Sequence, residues 1–183
     1  MPVFISMLRG VNLGAHNRIK MDALRALYRS LNLQDPRTYV QSGNVIFRTK
    51  EKNASRLSKQ IQAAIERTFK CNSEVILRTP DEFRKVVASN PFSGRPEIEP
   101  GKLLVTFLSG EPPASAQQTL EVFKRHPEEI HLLGRELYIY FPNGAGRSKL
   151  PWASLAKQMK VQGTARNWNS VLKMLEIAEE LER

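Results

Sequence analysis

The stretch from Arg37 to Arg48 most constrains the fold, because it has the pattern of two short strands joined by a tight turn. Polar and apolar residues alternate on both sides of Ser42-Gly43, and glycine suits the positive φ that a two-residue hairpin loop needs. Such a loop would pair Gln41 with Asn44. We therefore predict a β-hairpin with this two-residue loop.

Side chains alternate across a strand, so the hairpin has two faces. The apolar face is predicted to be core and consists of Thr38, Val40, Val45 and Phe47. The other face is polar, cationic and aromatic and consists of Arg37, Tyr39, Gln41, Asn44, Ile46 and Arg48. Two interpretations of this second face stay open. It is either an outward surface that stacks and hydrogen-bonds nucleic-acid bases, or a surface covered by the second half of the chain or by a second copy in a homodimer.

Apolar periodicity supplies the elements around the hairpin. A buried strand is predicted at residues 3–8, and a helix with apolar positions at Leu24, Leu27, Tyr28 and Leu31 follows it. After the hairpin, Asn53 is placed to cap a second helix, and residues 75–77 form a further strand. This β-α-β-β-α-β order is that of the ferredoxin-like fold, with both helices on one face of the sheet and the other face open.

The same order returns in the second half of the chain. Its strands and helices are predicted at residues 103–108, 113–125, 130–133, 136–141, 151–160 and 161–166, with a last helix from 167 onward. A glycine-first loop, Gly134-Arg135, joins the second hairpin. The sequence thus predicts an α+β protein of two tandem ferredoxin-like (α/β plait) units with a C-terminal helix. The predicted boundaries are 1–79 for the first unit, 80–101 for a connecting helix and linker, and 102–183 for the second unit.

Charge is distributed unevenly along the chain. The formal net charge is +10 and the pI is about 10.0. Residues 1–79 contain 14 lysines and arginines against 5 acidic residues, a net charge of +9, whereas residues 80–183 contain 14 against 13. A basic surface attracts anionic partners, so a nucleic acid or a phosphorylated small molecule is the expected partner of the first unit.

Other sequence features limit the class of protein. The longest apolar run, residues 3–8, is too short to cross a membrane, and the N-terminus lacks the pattern of a signal peptide. The single cysteine, Cys71, cannot form an internal disulfide, which suits a reducing cytoplasm. We therefore expect a cytoplasmic protein without a membrane partner.

Familiar catalytic signatures are absent. No nucleophile elbow, Walker A sequence or dinucleotide-binding glycine motif occurs. His16, His126 and His131 show no metal-ligand spacing with one another or with Cys71. The sequence predicts no metal site and no cofactor, and leaves open whether the protein is an enzyme.

Four segments carry groups suited to an anionic ligand: the loop 9–20, the polar hairpin face, the loop 142–149 and the segment 164–169. Glycines in the loops allow close approach of the backbone, and arginine, lysine and amide groups supply charge and hydrogen bonds. Ordinary solvated loops, and an inter-unit salt bridge in the case of Arg166, are the structural alternatives. The candidate ligand-binding residues are Arg9, Asn12, Lys20, Tyr39, Gln41, Asn44, Lys149 and Arg166.

The motifs in these segments carry a family resemblance. Residues 9–14 (RGVNLG), 39–45 (YVQSGNV), 90–92 (NPF) and 164–169 (TARNWN) resemble, in this order, those of the bacterial family of domain of unknown function 1697. The resemblance spans nearly the whole chain and implies a two-part α/β plait fold, but no activity. Ala165 stands where the family usually has a second threonine.

The leading hypothesis from the sequence is an anion-binding module for nucleic acid or a phosphorylated ligand. One alternative is a small-molecule transferase or hydrolase with a cleft between the two units, for which Asp22, His16 and His131 are the only candidate bases. The other is a structural protein whose open sheets mediate assembly. The glutamates near the C-terminus are expected to form a solvated, fraying helix end.

Overall fold

The computed structural model describes all 183 residues and has two compact units. Unit 1 comprises residues 1–85 together with 172–183, and unit 2 comprises residues 86–171. Each unit contains one four-stranded antiparallel sheet with helices packed against it, so the protein is α+β. The sequence pattern assigned the whole last helix to the second half, whereas its final residues group with unit 1.

Unit 1 contains the sheet order β2-β3-β1-β4. Its elements, in chain order, are β1 (Val3–Leu8), α1 (Met21–Ser30), β2 (Gln34–Tyr39), β3 (Asn44–Arg48), α2 (Ala54–Phe69), β4 (Val75–Arg78), the greater part of α3 (Pro80–Ala88) and the later part of the last helix. Asn53 caps α2 as predicted, because its side chain accepts a hydrogen bond from the backbone N–H of Arg56 at 2.9 Å. The core of this unit lies where α1 and α2 pack on one face of the sheet.

Unit 2 contains the sheet order β6-β7-β5-β8. Its elements are β5 (Leu103–Leu108), α4 (Ala116–Thr119), β6 (Glu129–Leu133), β7 (Glu136–Tyr140), α5 (Trp152–Met159), β8 (Gly163–Asn167) and the start of α6 (Trp168–Glu182). The predicted helix over 113–125 was wrong in part, since only α4 is α-helical and a 3₁₀ helix, Leu120–Arg125, continues it.

None of the helices combines the length and apolar character needed to cross a bilayer.

The two hairpins differ in how well the sequence predicted them. In the second, Leu133 pairs with Glu136 across Gly134-Arg135, which confirms the predicted register and two-residue loop. In the first, Tyr39 rather than Gln41 pairs with Asn44, so the loop has four residues. Val40 therefore lies in the loop, with φ of 51°, and is exposed instead of belonging to the core.

The polar face of the first hairpin is covered in part. Asn44 and Ile46 on this face are fully buried. The acidic end of α6 lies against part of it: Arg37 pairs with Glu180 at 2.7 Å, and Arg48 donates to the carbonyl of Leu181 at 2.7 Å. This part of the hairpin face is thus covered by α6, and Glu180 near the C-terminus is held in an ion pair rather than lying in a fraying, solvated end.

Candidate functional site

The loop 9–20 and the β2–β3 loop are held together by Asn12. Its side-chain Nδ2 donates to the carbonyl oxygens of Ile19 at 3.0 Å and Gln41 at 2.6 Å, and its Oδ1 accepts from the N–H of Ile19 at 2.7 Å. Asn12 itself adopts a left-handed backbone, with φ of 55°, which asparagine tolerates better than most residues. Both ends of this amide are therefore engaged within the protein, and its function here is to clamp two loops.

Gly43 brings the two loops into direct contact. It has φ of +77°, and a Cβ added there would lie 2.6 Å from Cγ2 of Val11 and 2.8 Å from Cβ of Leu8. Its carbonyl oxygen accepts a hydrogen bond from the N–H of Leu8 at 2.9 Å. Only glycine satisfies both the backbone angle and this close approach.

The side chain of Asn44 stabilises the β2–β3 loop through hydrogen bonds within the hairpin. It is fully buried, and its Nδ2 donates to the carbonyl of Tyr39 at 3.1 Å and to Oγ of Ser42 at 2.9 Å. A ligand in solvent has no access to this amide. Tyr39, at the end of β2, is half-buried.

A solvent-open hollow of about 490 Å³ lies between the start of α1 and the β2–β3 loop. Its polar lining includes Lys20, Arg25, Thr38 and Gln41. The side chains of Lys20 and Gln41 are exposed and make no hydrogen bond or ion pair within the protein. The structure thus brings together two of the predicted ligand-binding residues, Lys20 and Gln41, in one hollow.

The first turn of α1 adds backbone donors to this hollow. Lys20 is the N-cap residue, but no side chain caps the helix. The first N–H groups of a helix have no intrahelical acceptor, and those of Asp22 and Ala23 find no other partner in the protein. Together with the helix dipole, these donors favour a negative charge at this end of α1.

Arg25 lies in the hollow but was not predicted from the sequence. Its guanidinium pairs with the Asp22 carboxylate one turn earlier and donates to Oγ1 of Thr38 on β2. The Asp22–Arg25 spacing, i and i+3, is a recognisable helix pair and could have drawn attention to this residue. With Lys20, Asp22 and Arg25 together, the hollow has a net charge of +1.

The remaining predicted residues lie elsewhere. Arg9 is exposed after β1, where its backbone carbonyl accepts from Oγ of Ser73 at 2.7 Å. Lys149, in unit 2, is exposed and has no partner in the protein. Arg166, also in unit 2, is only 6% exposed and donates to Oγ1 of Thr164 at 2.6 Å. Desolvation by burial lowers the pKa of Arg166 to about 10.

The three candidate catalytic bases do not form a nucleophile–base pair. Asp22 is engaged with Arg25, and His131 is hydrogen-bonded to Glu129 at 2.7 Å. His16 is exposed in the loop 9–20. No group of three or more histidine, cysteine, aspartate or glutamate side chains is close enough to hold a metal ion.

Comparison with known proteins identifies the family. The sequence model of the family described as "Protein of unknown function (DUF1697)" matches residues 1–138. The chain belongs to the DUF1697 family. Among proteins with a curated description, none matches it. The structure of the conserved bacterial protein SP0830 from Streptococcus pneumoniae is similar, with a TM-score of 0.67 and 18% sequence identity over 97% of this chain and 98% of that chain. At that identity, the likeness of this DUF1697 protein to SP0830 concerns the fold alone.

Proposed function

We propose that unit 1 is an anion-binding module whose ligand is a nucleic acid or a phosphorylated compound. The observation that carries the proposal is the exposed, unpaired ammonium group of Lys20 beside the uncapped first turn of α1. A phosphate group placed there would accept hydrogen bonds from the amides of Asp22 and Ala23 and would be close to Lys20. The Gln41 side chain is the further donor on the opposite side of the hollow.

The charge of unit 1 supports the same ligand class. The residues that make up unit 1, 1–85 and 172–183, include 18 lysines and arginines and 11 acidic residues, which gives a net charge of +7. Three of those acids, Glu179, Glu180 and Glu182, are already engaged with Arg84 or Arg37. The excess of positive charge would raise the local concentration of an anionic ligand and speed its association.

A phosphate titration tests the proposal. Inorganic phosphate is added to the ¹⁵N-labelled protein, and we expect the largest amide shifts at Asp22 and Ala23, with a smaller shift of the Gln41 side-chain amide. Lys20→Gln should weaken the affinity, because it removes the only unpaired cation in the hollow.

Lys59→Gln is the matched control, since Lys59 is also exposed and unpaired but lies on α2. Equal weakening by the two substitutions, or shifts scattered evenly over unit 1, would contradict a defined site.

For the fold of each unit we propose the ferredoxin-like plait. The element order β-α-β-β-α-β and the antiparallel order β2-β3-β1-β4 support it in unit 1, and the order β6-β7-β5-β8 repeats this pattern in unit 2. A crystal structure with a different strand order in either sheet would refute it.

We place the protein in the cytoplasm, which its single buried cysteine, Cys71, supports.

A further inference from the structure

Unit 2 contains a second hollow, unrelated to the proposed phosphate site. It has a volume of about 470 Å³ and lies between the 3₁₀ helix Leu120–Arg125 and strand β6. Leu120, Phe123 and Ile130 supply apolar walls. Apolar walls with a few polar groups are typical of pockets that bind small organic molecules.

Glu128 is the unusual residue of this hollow. The residue lines the hollow yet is only 7% exposed. Ser148 donates from Oγ to Oε1 of the carboxylate at 2.6 Å, whereas the buried Oε2 has no hydrogen-bond partner. Buried carboxylates normally have their hydrogen-bonding capacity satisfied, so the unsatisfied Oε2 of a residue that lines a hollow marks a place for a donor.

The charge of Glu128 is also uncompensated, unlike that of its neighbours. Glu121 pairs with Lys124 at 2.6 Å, and Glu129 pairs with Arg95 at 2.8 Å. The Arg95 guanidinium holds the pKa of Glu129 below its ordinary value. Glu128 has only the neutral hydroxyl of Ser148. A ligand with a positive charge would therefore be attracted to Glu128 in particular.

We propose that this hollow binds a small organic ammonium ion, with the N–H of the ammonium group donating to Oε2 of Glu128 and its hydrocarbon part lying against Leu120, Phe123 and Ile130. An ammonium group supplies both the missing donor and the missing charge. A metal ion is the less suitable occupant, because no cluster of three metal-ligating side chains exists here. The carboxylate acts as an acceptor only, and no covalent step is involved.

Binding of benzylammonium chloride to the full-length protein tests the proposal. Isothermal titration calorimetry should detect binding in the millimolar range or tighter, and NMR shifts should be largest at Ile130 and Phe123. Benzyl alcohol, of similar size but neutral, should bind about tenfold more weakly or worse, since it lacks the charge that Glu128 would neutralise.

The Glu128→Gln variant keeps the size of the side chain and removes its charge. We expect it to reduce the affinity for benzylammonium at least about tenfold and to leave the weak binding of benzyl alcohol unchanged. Glu111→Gln is the matched control, because Glu111 is an exposed glutamate of unit 2 without a partner. It should bind benzylammonium as the unsubstituted protein does.

Three outcomes would overturn the proposal. They are the absence of benzylammonium binding to the unsubstituted protein, equal affinities for benzylammonium and benzyl alcohol, and an unchanged benzylammonium affinity in folded Glu128→Gln. Far-UV circular dichroism establishes that the variant is folded. Ser148→Ala is a second variant that retains the carboxylate, and we expect it to keep the preference for the ammonium ion.

Discussion

Replacement of Gly43 by alanine should destabilise unit 1 through two separable effects. The first is the backbone, because φ of +77° is left-handed and costs an L-residue about 1–2 kcal/mol. The second is steric, because the new Cβ would lie 2.6 Å from Val11 and 2.8 Å from Leu8. Forcing an extra carbon into a packed interior costs about 1–3 kcal/mol. The expected loss of stability is therefore about 2–5 kcal/mol in total.

Gly14→Ala separates the two effects. Gly14 has φ of +65°, close to that of Gly43, but a Cβ there would meet nothing within 4 Å. Gly14→Ala should therefore lower the stability only by the backbone effect, about 1–2 kcal/mol. Urea unfolding followed by far-UV circular dichroism, with amide hydrogen exchange in β3 as a probe of unit 1, measures both variants.

The result that would refute this reasoning is a Gly43→Ala variant no less stable than Gly14→Ala. The two loops would then not be packed as closely as the distances to Val11 and Leu8 indicate. Val11→Ala in the Gly43→Ala background gives a further check. Val11→Ala removes one of the two clashing groups. The loss of stability that it causes should therefore be smaller in the Gly43→Ala background than in the unsubstituted protein.

Two further predictions concern stability. Asn53→Ala should lower the free energy of unfolding by about 1 kcal/mol, because it removes the cap of α2. Asn53→Asp keeps a side-chain acceptor and should leave the free energy of unfolding nearly unchanged. Urea unfolding measures both variants, and equal losses of stability would contradict the capping role. Burial raises the pKa of Tyr28 and of Tyr138 well above the ordinary value of about 10. Below about pH 10 these phenols are neutral in both the folded and the unfolded protein, and their burial contributes its whole stabilisation. Above that pH they ionise in the unfolded protein first, so this stabilisation is lost as the pH rises. In an alkaline absorbance titration both should ionise only as the protein unfolds, and ionisation of all four tyrosines before unfolding would contradict their burial.

The sequence was sufficient where local chemistry decides the structure. The Gly134-Arg135 loop fixed the second hairpin, because a two-residue loop with glycine first leaves one register. Asn53 was recognised as a cap for the same kind of local reason. These elements depend on residues within a few positions of one another.

The first hairpin could not be predicted in full, because distant residues decide it. Gly43 contacts Leu8 and Val11, and Asn12 binds the carbonyl of Gln41, so the loop follows these partners rather than the two-residue pattern. Alternation correctly placed Asn44 and Ile46 on one face but could not show that these two side chains are buried. The contact of Arg37 with Glu180 joins residues 143 positions apart.

The candidate site was predicted in part for the same reason. Lys20 was identified by its charge at the end of the loop 9–20 and Gln41 by its place on the polar hairpin face, and both line one hollow. Asn12 and Asn44 have side chains equally suited to a ligand, but the folded chain uses both for its own hydrogen bonds. Nothing in the local sequence distinguishes the two kinds of asparagine.

The salt dependence of oligonucleotide binding tests the central claim most directly. Fluorescence anisotropy with a labelled single-stranded oligonucleotide of mixed sequence gives log K against log salt concentration for the unsubstituted protein and for Lys20→Gln. A phosphate bound at the start of α1 predicts linear dependence, with a slope reduced by about 0.7 in Lys20→Gln and unchanged in Lys59→Gln. Identical slopes for Lys20→Gln and the unsubstituted protein, or no binding at low salt, would contradict the assignment of a nucleic-acid phosphate to this hollow.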